Sequence, residues 1–229
     1  GVQVTVAGDT TTARVAGLIG DTDHDITVVP ENSSGTGSAS DIVEVFVPVR
    51  PLEGYWMLQV DGTVHGFGDA DHHGDAPTSA AVALVPLHGG EGYWVLDESG
   101  VVHTFGTASH LGDVATAGTP LAPDEVAASM SATPGGDGYW IFTTRGRAIA
   151  FGAADHHGDV AHLDLNGPIV DSVATPTGLG YYQIGSDGGI FASGDATFNG
   201  SIQTVVNALS PGTAAVDWLS SPIVGLVPN

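Results

Sequence analysis

The sequence predicts an all-β protein: about fifty residues of short strands, then a domain of four tandem repeats. Three observations carry this. Gly-Tyr-Trp, or Gly-Tyr-Tyr, recurs at Gly54, Gly92, Gly138 and Gly180, so successive starts lie 38, 46 and 42 residues apart. Each copy heads two apolar runs joined by a glycine-bearing turn, usually Asp-Gly or Ser-Gly, a strong hairpin signal. The 229 residues include 34 Gly and 13 Pro, which favours many turns and short strands. No window sustains apolar residues at helical spacing, so no helix is expected. A period near 40 residues implies stacked or radial units, each too small to bury its own apolar face.

Residues 1–50 lie outside the repeat. Val2 to Ala7, Thr12 to Val15, Ile26 to Val29 and Ile42 to Val49 read as four short strands, with a polar loop at residues 32–38. Thr11 to Leu18, Thr27 to Asn32, Gly35 and Ser38-Ala39-Ser40 carry a resemblance to the C-terminal half of a fibronectin type III domain. It covers about 45 residues; a tyrosine is usual in that family where His24 stands. The resemblance implies half a β-sandwich, whose inner face and edges need cover from upstream residues or another chain. The chain starts at Gly1 rather than Met, which predicts a processed, cleaved or partial product. Pro51-Leu52-Glu53 is the whole linker, so a fairly stiff junction is expected.

Residues 54–229 form the repeat domain. The first hairpin strands are Tyr55 to Val60, Tyr93 to Leu96, Tyr139 to Phe142 and Tyr181 to Ile184. A polar tail follows each hairpin: Asp71 to Asp75, Ser109 to Asp113, Asp155 to Asp159 and Thr197 to Ser201, each with room for a short strand. Between hairpins lies one more apolar run: Ala81 to Leu87, Val126 to Thr133 and Pro168 to Pro176. Three or four strands per unit is the content of a propeller blade, so a four-repeat β-propeller-like domain is expected. A spare run, Ser221 to Val227, follows the last hairpin. Its pairing with the first hairpin would close a four-bladed ring; the rival is a longer propeller continuing past Asn229.

The fourth copy shows the repeat motif most fully: Pro168-Ile169-Val170, Gly180-Tyr181-Tyr182, Asp187-Gly188-Gly189-Ile190-Phe191, Gly194-Asp195-Ala196. It resembles the tandem repeats of bacterial secreted and surface proteins. That resemblance covers residues 54–229 and implies a propeller-like extracellular module, often beside enzymes or adhesion domains. It implies no catalytic residues. The first three copies depart from it by placing His at aromatic positions.

Charge narrows the partners. There is no Lys; four Arg stand against 26 acids, a net charge of −22. Such a surface opposes nucleic acid, whose phosphates need a basic face, and anionic membranes. It stays soluble and suits a salty exterior that screens it. No apolar run is long enough to span a bilayer. The absence of Cys excludes disulfides, thiol catalysis and thiolate metal sites.

Histidine marks the candidate sites. Asp-His-His-Gly-Asp occurs twice, placing His72, His73 and Asp75 in repeat one and His156, His157 and Asp159 in repeat three; His110 occupies the same place in repeat two. His with Asp can bind zinc or another divalent cation. Against this, neighbours on a strand face opposite sides, so both His of a pair do not readily share an ion. Phe198 fills the slot in repeat four, which favours aromatic packing. His65 and His103, aligned with Ile149 and Phe191, are expected as buried neutral side chains. Trp56, Trp94 and Trp140, aligned with Tyr182, are expected to pack unit on unit. Trp218 is the better candidate for an exposed aromatic.

No Gly-x-Ser-x-Gly, His-Glu-x-x-His or phosphate-loop motif is present. The expected role is therefore non-catalytic: an extracellular or cell-surface scaffold, filament former or adhesion module. Its expected partners are other protein chains or surface glycans, with a homo-oligomer or filament among the outcomes. The alternatives are a lectin-like carbohydrate-binding propeller and an accessory domain of a secreted hydrolase.

Overall fold

The computed structural model describes residues 4–5, 22–33, 35–47 and 54–226, which fall into two units, Gly1–Pro51 and Leu52–Asn229. The strands expected at Val2 to Ala7 and Thr12 to Val15 fall largely or wholly outside the described residues. In the first unit β1 (Thr22–Ile26) pairs antiparallel with β4 (Val43–Val47), placing His24 opposite Val45. The strand expected from Ile26 thus ends there. Two-residue strands β2 (Glu31–Asn32) and β3 (Gly35–Thr36) make a small hairpin inside the expected polar loop.

The second unit is a series of small antiparallel sheets. Among the described residues the first repeat has two strands, β5 (Gly54–Leu58) and β6 (Val64–Gly68). The next three have three each. They are β7 (Ala81–Pro86), β8 (Gly92–Asp97) and β9 (Val102–Gly106); β10 (Ala127–Ala132), β11 (Gly138–Thr143) and β12 (Ala148–Gly152); β13 (Ile169–Ala174), β14 (Gly180–Gly185) and β15 (Ile190–Gly194). Each inter-hairpin run supplies the leading strand of its sheet, and the Gly-Tyr-Trp strand lies in the middle. A register shift recurs at the same place in all three leading strands, after Ala81, Ala127 and Ile169. Such bulges bend a strand and raise its twist.

The core lies between sheets rather than within any one. Trp94 and Leu96 of repeat two pack with Tyr139, Ile141 and Phe151 of repeat three. Trp56 packs with Tyr93, and Trp140 with Tyr181. The rings of Trp94 and Tyr139 meet edge-on at 5.4 Å. Sheets on both sides explain why β8 and β11 are buried along their whole length, with apolar residues running continuously instead of alternating.

The tails are not strands. Each is held by bonds repeated with fixed spacing. The residue fourteen after the turn glycine donates its backbone N–H to that glycine's carbonyl: Ala76 to Gly62, Val114 to Gly100, Val160 to Gly146 and Ile202 to Gly188, at 2.9–3.1 Å. These glycines have φ between 80° and 86°, a left-handed conformation. A Cβ on Gly100 would stand 2.3 Å from Val114 Cγ2. The indoles of Trp56, Trp94 and Trp140 donate to Asp71, Ser109 and Asp155 carbonyls at 2.7–2.9 Å, and Tyr182 Oη donates to Thr197.

Two expectations need correction. Helix α1 (Ile202–Leu209) and the short α2 (Ala215–Trp218) follow repeat four. Ile202, Val205, Val206 and Leu209 recur at helical spacing, and Val206 is fully buried. The run from Ser221 does not pair with the first hairpin among the described residues. Ile223 donates its N–H to Ser186 O at 2.9 Å, Leu226 donates to Asp171 Oδ2 at 2.9 Å, and Val224 is 87% exposed.

Candidate functional site

The repeated tails carry the chain's concentration of His and Asp. In the first three, the indole bond fixes the start of the tail, the backbone bond fixes the residue that follows it, and the next repeat fixes the glycine between. Tyr93 Oη donates to Gly74 O at 2.6 Å and accepts from Gly74 N at 3.0 Å. Tyr139 Oη donates to Gly112 O and Tyr181 Oη to Gly158 O, each at 2.5 Å. Burial pushes the Tyr139 and Tyr181 phenols up to about 12, so both stay protonated donors at neutral pH. Each tyrosine therefore locks its own repeat to the tail before it.

That clamp sets where the histidines go. His72 turns outward and meets Asp75, Nε2 to Oδ1 3.1 Å. The pattern repeats: His110 Nε2 lies 3.7 Å from Asp113 Oδ2, and His156 Nε2 lies 3.7 Å from Asp159 Oδ2. The three imidazoles are about half exposed. The Val64 N–H and then the His72 ring hold the Asp75 carboxyl below its usual range. His73 turns the other way. Its Nε2 lies 3.1 Å from Gly90 O, and its ring packs on Tyr93 at 5.6 Å. The His157 ring lies between Trp140, at 6.0 Å, and Tyr181, at 5.7 Å, with a buried Nε2 that has no hydrogen-bond partner.

The residues singled out for a metal are thus split. His72 and Asp75 come together, as do His156 and Asp159; His73 and His157 are diverted into the inter-repeat contact. Among the described residues, no group of three or more His, Asp or Glu converges. An exposed His–Asp pair offers two ligands where a closed zinc site takes four. What each pair does supply is an acid-base couple on the surface, one per repeat in the first three repeats.

His65 and His103 differ. His103 is partly buried, Nε2 3.4 Å from Asp97 Oδ2. Burial pushes the Asp97 carboxyl up, but bonds from the Ser99 hydroxyl, Val101 N–H and His103 outweigh it and leave it lowered. His65 is exposed rather than buried; among the described residues its sheet lacks the leading strand the others have.

The sequence reading missed two polar groups. Glu125 is buried and receives Arg147 Nε at 2.8 Å; Arg147 also donates to the carbonyls of Thr119 and Pro120. Ser129, Ser131 and Ser172 join leading strands β10 and β13 through hydroxyl bonds of 2.9 Å. Small alternating Ser residues in β10 were the available signal. Beside His110 an open depression of about 620 Å³ is lined by Gly112, Thr116, Thr119 and Phe151 among others. No family model matches the chain, and no curated protein matches it.

Proposed function

We propose that the chain is a non-catalytic scaffold or adhesion module working outside the cell, built as a propeller-like stack of four repeats beside a fibronectin type III-like segment. One observation carries this reading: the aromatic polar groups that recur in the repeats are spent on fastening each tail, the indoles to its own sheet and the phenols to the next repeat. The Tyr93, Tyr139 and Tyr181 hydroxyls and the Trp56, Trp94 and Trp140 indoles all end on tail carbonyls. A stack so fastened presents its variable, acidic residues outward on a stiff frame. The charge of −22 and the resemblance to secreted bacterial repeats support the extracellular setting.

The test is external protease treatment of intact producing cells, followed by immunodetection. Loss of the protein without lysis is expected. Protection until the cells are opened would overturn the reading.

A second reading, glycan binding, is favoured by the depression beside His110, whose volume of about 620 Å³ lies in the range of small-ligand sites. Glycan-array binding abolished by His110→Ala would establish it.

A further inference from the structure

The outer faces of the first and fourth repeats are complementary. Three times within the chain, the Tyr of one repeat enters the tail of the repeat before it and packs on that repeat's Trp. Each contact has a donor face and an acceptor face. At the first repeat the donor face has no taker among the described residues. Tyr55 is 60% exposed and stacks on Phe67 at 5.1 Å, and Phe67 and Met57 are exposed beside it. At the fourth repeat the acceptor face is intact. Gly200 occupies the tail-glycine position with φ 116°, and Tyr182, in the Trp position, holds its own tail through Thr197.

A second feature points the same way. Each leading strand starts with a bond to the preceding hairpin: Ala81 N–H to Val60 O, Ala127 to Glu98 and Ile169 to Thr144, at 2.8–3.0 Å. Ile223 makes the same bond to Ser186. The residues from Ile223 thus begin where a leading strand begins, with no hairpin of their own among the described residues. At the other end β5 pairs with β6 alone among the described residues, with no leading strand beside it there.

We infer that a second copy of this chain docks head to tail. The Tyr55 face of one copy seats on the Gly200 tail and Tyr182 of the next, and residues 223–226 run beside β5 to complete its sheet. The contact repeats the geometry that joins repeats one to two, two to three and three to four. Donor and acceptor faces differ, so it is heterologous and propagates unless it closes into a ring. The charge of −22 opposes it, so association strengthens as salt screens the repulsion. This names the partner of the scaffold proposed above and rests on that reading; surface exposure without self-association would sink the inference alone.

The absence of native Cys makes cross-linking unambiguous. Two single variants, Asp69→Cys and Asn199→Cys, which leave Tyr55 in place, are mixed in 0.5 M salt with a short bis-maleimide; both positions are exposed, so both variants are expected to fold. Cross-linked dimer in the mixture well above that from either variant alone is expected. The double variant in one chain should likewise cross-link between chains. A cross-link at monomer mass in the double variant would overturn the inference in favour of closure within one chain. Sedimentation gives an independent readout. Concentration-dependent species larger than the monomer are expected for the native chain, with at least tenfold weaker association for Tyr55→Lys. A monomer at every concentration and salt level would overturn the inference.

Discussion

Strands β5 and β8 begin with the same three residues and live in different surroundings. Tyr93 and Trp94 are fully buried, whereas Tyr55 is 60% exposed. The motif does not bury itself; the neighbouring sheets do. Tyr93 has the tail of repeat one to enter and leading strand β7 beside it, and Tyr55 has neither among the described residues. In an array of this kind stability belongs to the interfaces, and an end repeat resembles an interior one in sequence only.

Substitutions can sharpen that contrast. Tyr139→Ala removes a fully buried ring from between two sheets and should cost about 3–5 kcal/mol, whereas Tyr55→Ala should stay within about 0.5 kcal/mol. Denaturant midpoints measure both, and equal losses would break the comparison. Next comes Gly146→Ala, which forces a left-handed backbone on a Cβ that would stand 2.6 Å from Val160 Cγ2; about 1–3 kcal/mol is expected. Gly89→Ala, with nothing within 4 Å, supplies the control for backbone strain alone.

Tyr139→Phe keeps the ring and removes only the hydroxyl bonded to Gly112 and Leu111, which should cost about 1–2 kcal/mol. Tyr55→Phe should be silent in the monomer, measured at low salt and low concentration. One further effect is invisible at neutral pH. The Tyr139 and Tyr181 phenols are raised from 10 to about 12 by burial, so the folded state holds their protons more tightly than the unfolded state does. Their contribution is complete below pH 10 and lost as pH rises from 10 towards 12. Stability measured across that window, with phenolate absorbance as a second probe, should fall less for the Tyr139→Phe variant.

The hairpins were legible because Gly-Tyr-Trp and the Asp-Gly turns are local signals, and the leading strands because their apolar runs stand alone between turns. The tails were not. Asp71 to Asp75 contain no ladder partner; their bonds go to the Trp56 indole and to the Tyr93 hydroxyl, twenty residues away in the case of His73. Helix α1 was hidden for a related reason. Ile202 occupies the slot of Ala76, Val114 and Val160, so the helix begins inside the repeat pattern and its spacing overlaps a strand-type signal. The divergence of His72 from His73 follows from neighbours facing opposite ways. Only the next repeat, through Gly90 and Tyr93, shows what His73 meets.

The fixed bond between turn glycine and tail also governs how such a chain can vary in length. From the locked residue to the start of the next leading strand the chain takes 5, 13 and 9 residues: Ala76 to Ala81, Val114 to Ala127 and Val160 to Ile169. Removing these steps from the periods of 38, 46 and 42 leaves 33 residues in every repeat. All the irregularity of the array is thus gathered at one point of each unit, and the longest such step, Ile202 to Ile223, is long enough to hold both helices. A frame that confines insertions to a single joint can exchange its surface loops without renegotiating its core, and that joint is where grafted sequence would be tolerated best.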